Sequence, residues 1–296
     1  MEKIKPLYPQ RIAPESERIT ETVRQQDAVV LADVVRHLPD GLSVSQVTDT
    51  VAAELPVALV YNGISHAVMM ATPADLMDFA RGFSMAEKIV DHPAQIYDVE
   101  MVRQPGSQGI ELRIQIASAC FMRLKERRRS LAGTTGCGLC GVQSLRALEL
   151  QLPPVSGAIR LYPTALARAL QQLTERQPLN AQTGAMHAAA WVNPDGEIVL
   201  LREDVGRHNA LDKLIGALST LSVIRNEAGG FVLMSSRASF ELVQKTARAG
   251  IGLLATVSAP TSLAIDSAAQ AGVCLIGFAR ETGFVVYTHP ERILTE

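Results

Sequence analysis

The chain has 296 residues, enough for one large domain or two ordinary ones with a real core. Hydrophobic residues make up 47% and charged residues 20%, a globular balance that excludes disordered and fibrous classes. The net charge of -2 excludes a global field that gathers nucleic acid, and no apolar run approaches the ~18 residues that span a bilayer.

Residues 1–45 are polar, mixed in charge and weakly patterned, so they read as an N-terminal extension with a short helix around 29–36. The first eleven residues are charged and lack the apolar stretch of a secretory signal. Ordered structure is expected from about Val47. Residues 56–61 and 64–70 flank Asn62-Gly63, a pair that supplies the two positive φ angles of a hairpin turn. Thr72-Pro73-Ala74-Asp75 predicts a helix start with Thr72 as N-cap, and Leu76, Phe79, Ala80 and Phe83 form its apolar face. Ser84-Met85-Ala86-Glu87 predicts a second capping box and a new short helix. Ile110, Leu112, Ile114 and Ile116 alternate with polar residues as a half-buried strand, paired through a turn at 104–107 with residues 96–103. A basic helix over 121–131 follows, then a glycine-rich loop over 133–141. Pro153 and Pro154 mark a linker.

The second half alternates strand and helix. Strands are expected at 188–192, 198–201, 231–234, 253–257, 273–278 and 284–287. Helices are expected through Leu211, Leu214, Ile215 and Leu218, and over 240–249 and 260–271, the last two stopped by Gly250 and Gly272. This order predicts an α/β layered sheet with helices on both faces, preceded by a smaller α+β lobe. The expected division is 1–45 extension, 46–152 N-terminal lobe and 153–296 α/β lobe.

Four cysteines, Cys120, Cys137, Cys140 and Cys274, are too few and too scattered for a disulfide scaffold, which predicts reduced thiols in the cytoplasm. Cys137 and Cys140 stand two residues apart among glycines, behind Arg123, Lys125, Arg127, Arg128 and Arg129. Positive charge favours the thiolate, the reactive form. Taken alone, this pair is half a zinc site, a dithiol redox pair, or a carrier thiol with a helper. Cys274 lies in an apolar strand and is expected to be buried. Two strand-to-helix turns, Glu203-Asp204-Val205-Gly206-Arg207-His208-Asn209 and Ser235-Ser236-Arg237-Ala238-Ser239, gather hydroxyls, backbone N–H groups and arginines, the chemistry of an anion site. The segment from Phe278 through Ala279, Arg280, Glu281 and Thr282 to Gly283 ends a strand on the same predicted edge. His187, among small residues, reads as structural.

The chain resembles the formate dehydrogenase accessory sulfurtransferase family (FdhD/NarQ). The resemblance spans about residues 54–290. It rests on Leu55-Pro56-Val57-Ala58-Leu59-Val60-Tyr61-Asn62-Gly63, Lys125-Glu126-Arg127-Arg128-Arg129, Gly136-Cys137-Gly138-Leu139-Cys140-Gly141, His187-Ala188-Ala189-Ala190, the two turns above, and Tyr287-Thr288-His289-Pro290. It implies a cytidine-deaminase-like core, a homodimer and a cytoplasmic sulfur carrier. That carrier takes sulfane sulfur from a cysteine desulfurase and passes it to the molybdenum cofactor, a bis-molybdopterin guanine dinucleotide, before the cofactor enters formate dehydrogenase. It implies Cys137 as the persulfide cysteine and Cys140 as its helper. Phe278, Ala279, Arg280, Glu281, Thr282 and Gly283 are implied as a cofactor-binding strand end. Ser235, Ser236, Arg237, Arg207 and His208 complete the expected guanine-nucleotide site, with no permanent metal, and Arg127, Arg128, Arg207 and Arg237 are expected to hold the pyrophosphates. Zinc deaminase chemistry is not expected, because Ala189 stands where the H-x-E carboxylate belongs. The alternatives are a non-catalytic cofactor chaperone with a structural or zinc-binding CxxC, and a thiol–disulfide oxidoreductase.

Overall fold

The computed structural model describes residues 25–38, 44–103, 106, 108–131, 152–155, 159–221 and 229–295. Twelve strands and seven α-helices lie among them, and no helix there is long and apolar enough to cross a membrane.

Strands β1 (Val29–His37) and β2 (Val44–Ala52) form a two-stranded antiparallel ribbon. The helix expected at 29–36 is therefore a strand, and described structure begins before Val47. The β-branched run Val29, Val30, Val34 and Val35 carried that signal. β3 (Leu55–Tyr61) and β4 (Ile64–Ala71) make the expected hairpin, with Asn62 at φ 45 and Gly63 at φ 82. With β5 (Ile96–Val102) and β6 (Ile110–Ile116) they complete a four-stranded sheet of order β4-β3-β6-β5.

Helices α1 (Leu76–Ala86) and α2 (Ser118–Leu131) pack on one face of this sheet. Leu76, Phe79, Phe83, Cys120 and Leu124 meet Val57, Leu59, Leu112 and Ile114 there. Two local expectations fail. Thr72 does not cap α1; its N-cap is Asp75, with no side-chain bond. Ser84 opens no second helix but lies inside α1, hydrogen-bonded to Tyr61 Oη at 2.8 Å and to the Ala80 carbonyl. The apolar face of α1 continues through that position, so packing overrides the capping motif.

The larger unit holds α3 (Pro163–Glu175), α4 (Pro178–Thr183), β7 (His187–Val192), β8 (Ile198–Asp204), α5 (Arg207–Thr220), β9 (Phe231–Met234), α6 (Phe240–Arg248), β10 (Leu253–Thr256), α7 (Ser262–Ala271), β11 (Cys274–Arg280) and β12 (Gly283–Val286). Its sheet order is β12-β11-β10-β9-β7-β8. β9, β10 and β11 are parallel, while β7 runs antiparallel to both β8 and β9. Hence β8 also runs parallel with β9 to β11, and β7 begins at the edge where those four end. Ala189, Trp191, Val232, Met234, Leu254 and Leu275 face α5, α6 and α7. Ala188, Ala190, Phe231, Leu233, Ala255 and Ile276 face α3. This is the expected layered α/β sheet with helices on both faces. α3 and α4 were not foreseen.

α1 and α5 join the two units through reciprocal glycines. A Cβ on Gly82 would lie 1.7 Å from the Asp212 carbonyl oxygen, and one on Gly216 would lie 1.9 Å from that of Asp78. Only hydrogen fits at such a crossing.

Candidate functional site: a cationic cavity where three helices start

The carboxyl ends of β8, β9 and β10 lead into the N-termini of α5, α6 and α7. Backbone N–H groups at helix starts are unpaired donors at the positive end of the helix dipole. A cavity of about 480 Å³ opens at this edge, lined by His187, Arg207, Ser235, Ser236, Arg237, Ser258, Ala259, Pro260 and Thr261. Arg207 is the first residue of α5, behind Gly206. Thr261 caps α7 by accepting from the Ala264 N–H.

Hydrogen bonds fix the walls. Ser235 Oγ accepts from the Ala188 N–H at 2.8 Å, and the Ser235 N–H donates to the Ala188 carbonyl at 3.0 Å. The Ser258 N–H donates to the Ser236 carbonyl at 3.2 Å, and the Thr261 N–H to that of Ala238 at 3.0 Å. The Ser236 hydroxyl turns to the Arg237 carbonyl at 3.1 Å.

The electrostatics call for an anion. Arg207 and Arg237 repel each other; burial and then the Arg237 charge lower the pKa of Arg207. His187 is likewise lowered, by burial and then by Arg207. Arg207 Nε is buried with no hydrogen-bond partner among the described residues. Such an orphaned donor costs free energy that a bound oxyanion recovers.

The structure brings Arg207, Ser235, Ser236, Arg237 and His187 together at the cavity wall. It does not bring His208 to the cavity wall. His208 Nε2 lies 2.7 Å from Glu241 and 3.3 Å from Ser239 Oγ, behind the start of α6. Phe278 to Gly283 flank the cavity rather than line it. The Phe278 N–H donates to the Ser258 carbonyl at 3.3 Å, with Phe278 at φ 51, and Arg280 donates to the Val257 carbonyl. Glu281 meets Gln171 at 3.3 Å. Ala279 is buried, and Thr282 and Gly283 are exposed. Cys137, Cys140 and the side chain of Arg128 lie outside the described residues.

Several flagged residues hold the frame. Asp204 pairs with Lys213 at 2.6 Å and accepts from the N–H groups of Thr72 at 3.0 Å and Gly206 at 2.8 Å. Asn209 ties Asp204 to the Met70 carbonyl. Glu203 accepts from the N–H groups of Leu179 and Asn180, at the start of α4. Arg127 does not reach the cavity; its guanidinium donates to the carbonyls of Glu87 and Lys88. The loop Ser258–Thr261 was missed. A strand ending in a Ser-Ala-Pro-Thr turn before a helix was the available signal.

An α/β sheet whose carboxyl edge carries paired arginines, serine hydroxyls and three helix starts has the chemistry of an anion site. The sequence pattern of the FdhD/NarQ family matches residues 52–294. The chain belongs to the FdhD/NarQ family. It is 53% identical over 246 residues to a sulfur carrier protein FdhD from Bordetella petrii, covering 83% of this chain and 87% of that one. It is 55% identical over 248 residues to the protein of the same name from Cupriavidus necator, covering 84% and 85%. Its fold matches the crystal structure of a protein from Desulfotalea psychrophila assigned as a formate dehydrogenase accessory protein. The TM-score is 0.67 at 23% identity, covering 90% of this chain and 100% of that one; this likeness bears on fold alone.

Proposed function

We propose that this chain is a sulfur carrier that serves formate dehydrogenase. Cys137 accepts sulfane sulfur from a cysteine desulfurase in the cytoplasm, and the cavity holds the phosphates of the guanine dinucleotide cargo. The observation that carries the cargo reading is the buried, unpartnered Nε of Arg207 beside Arg237. The relatives named sulfur carrier protein FdhD support the sulfur reading.

In loading, Cys137 thiolate attacks the terminal sulfur of the donor persulfide. A new S–S bond forms on Cys137, the donor S–S bond breaks, and the donor leaves as thiolate, so no oxidant is needed. In release, Cys140 attacks Cys137 Sγ. Hydrosulfide leaves toward the molybdenum centre, a Cys137–Cys140 disulfide forms, and a dithiol reductant restores the pair. Arg207, Arg237 and the three helix starts hold the pyrophosphate; Ser235 and Ser236 shape the wall.

The test is intact mass after incubation with a cysteine desulfurase and cysteine. Wild type should gain about 32 Da, one sulfur atom, and Cys137→Ala should gain nothing. Equal adducts on both would remove Cys137 from the role. Stoichiometric zinc lost on Cys140→Ser would instead make the CxxC structural.

A further inference from the structure

His187 opens β7 and stands half-buried in the cavity wall. The backbone fixes its place. The next residue, Ala188, donates its N–H to Ser235 Oγ at 2.8 Å, and His187 lies opposite Asp204 in the register of β7 with β8. No described residue hydrogen-bonds the His187 ring, so its nitrogens are open to a ligand.

The charges around that ring are one-sided. Arg207, at the start of α5, and Arg237, in the turn before α6, share the cavity wall with it. The loop from Ser258 through Ala259 and Pro260 to Thr261 brings no ionisable side chain. The carboxylates at this edge are engaged elsewhere. Asp204 pairs with Lys213 at 2.6 Å and accepts from the N–H groups of Thr72 and Gly206. Glu203 accepts from the N–H groups of Leu179 and Asn180. Glu241 meets His208 at 2.7 Å. Burial and then the Arg207 charge hold the His187 pKa below its usual 6.5, and Asp204 offsets them only in part. The free protein at neutral pH therefore carries a neutral imidazole beside two guanidinium groups. An oxyanion held by the two arginines reverses the local field and favours the charged ring.

We propose that His187 is a third, proton-linked ligand of the bound anion: its ring takes up a proton from solvent as the phosphates enter and returns it as they leave. The inference rests on the reading of the cavity as the phosphate-holding site. The proton goes to an imidazole nitrogen, which then donates a charge-assisted hydrogen bond to a phosphate oxygen. The bound state holds more protons than the free state, so affinity strengthens as pH falls. The change approaches about tenfold per pH unit between the pKa of the free ring and that of the bound ring.

The test is calorimetry on the full chain, repeated in buffers of different ionisation enthalpy, which counts protons taken up on binding. The first probe is diguanosine pyrophosphate, two guanosines joined 5′ to 5′, whose phosphates do not titrate near neutrality. The second is sulfate, which does not titrate there either. His208, pushed down to about 4, stays neutral across the range used. Wild type at pH 6.5 should take up about half a proton or more, and its affinity should fall about 5- to 30-fold from pH 6 to pH 8. His187→Gln, which keeps a donor but cannot titrate, should take up almost none. Its affinity should be flat with pH and within about threefold of wild type at pH 8. His187→Asn should behave alike, which guards against a local fault in β7. A wild-type enthalpy that does not change with buffer overturns the inference. So does uptake that survives in both variants, which would assign the proton to another group. Sulfate binding with uptake, but no dinucleotide binding, would leave the inference standing and refute the guanine cargo. If neither probe binds, both readings fall.

Discussion

Gly82 of α1 and Gly216 of α5 are each other's clearance: a Cβ on Gly216 would lie 2.8 Å from the Gly82 nitrogen, and one on Gly82 would lie 2.7 Å from the Gly216 nitrogen. The four- and six-stranded sheets are joined across this crossing. At an exposed helix interior, Gly→Ala gains stability through helix propensity. Here the sign should reverse. Gly216→Ala should cost about 1–3 kcal/mol as the helices are forced apart, read as a lowered urea midpoint. A midpoint equal to or above wild type would mean that the helices do not meet this closely.

His208 makes stability depend on pH. Burial, and then the Arg207 charge, push its pKa down to about 4 from the usual 6.5. Glu87 opposes this, and a neutral ring still donates from Nε2 to Glu241 at 2.7 Å. Between those values the unfolded chain binds the proton and the folded chain does not. The contribution is therefore present above pH 6.5 and lost as pH falls toward 4. His208→Asn should shrink the loss between pH 7 and 4.5 by on the order of 1–2 kcal/mol, allowing for its partial exposure. Asp212, raised to about 6 by burial, acts in the opposite direction in both proteins and cancels in the difference.

The paired arginines should govern anion affinity. Arg207→Met and Arg237→Met should each weaken GDP binding about 10- to 100-fold by calorimetry, as charge-assisted hydrogen bonds are lost. The double variant should lose less than the product of the two, because each arginine raises the cost of burying the other. No loss in either single variant would place the nucleotide elsewhere.

Thiol reactivity should divide the four cysteines. Cys120 and Cys274 are buried, and burial pushes the Cys274 thiol up to about 11. Iodoacetamide at neutral pH should modify peptides holding Cys137 and Cys140 and spare the other two until the protein unfolds. Peptide mass mapping reads this directly, and early labelling of Cys274 would show that β11 opens.

Most of the α/β half was legible from the chain. Phe231–Met234 appears as expected, and the helices stopped by Gly250 and Gly272 end there because glycine accepts positive φ. Arg207 and the Ser235–Arg237 turn stand at one cavity, as strand-to-helix turns at the carboxyl edge of an α/β sheet lead one to expect. Thr72 and Ser84 misled. Both carry local capping signals, yet Thr72 donates its N–H to Asp204, 132 positions away, and Ser84 bonds to Tyr61, 23 positions away. Local pattern has no access to partners that distant.

By itself the sequence determined the periodic strands and helices, the Asn62-Gly63 turn and the family, because those depend on neighbours within a few residues or on ordered motifs. Only the tertiary structure decided that His187 joins Arg207 and Arg237, that His208 turns away toward Glu241, and that Arg127 grips a helix end instead of a phosphate. The physical reason is strand direction and packing: antiparallel β7 starts where β8, β9 and β10 end, and which side chain then faces the cavity is set by contacts between segments far apart in the chain.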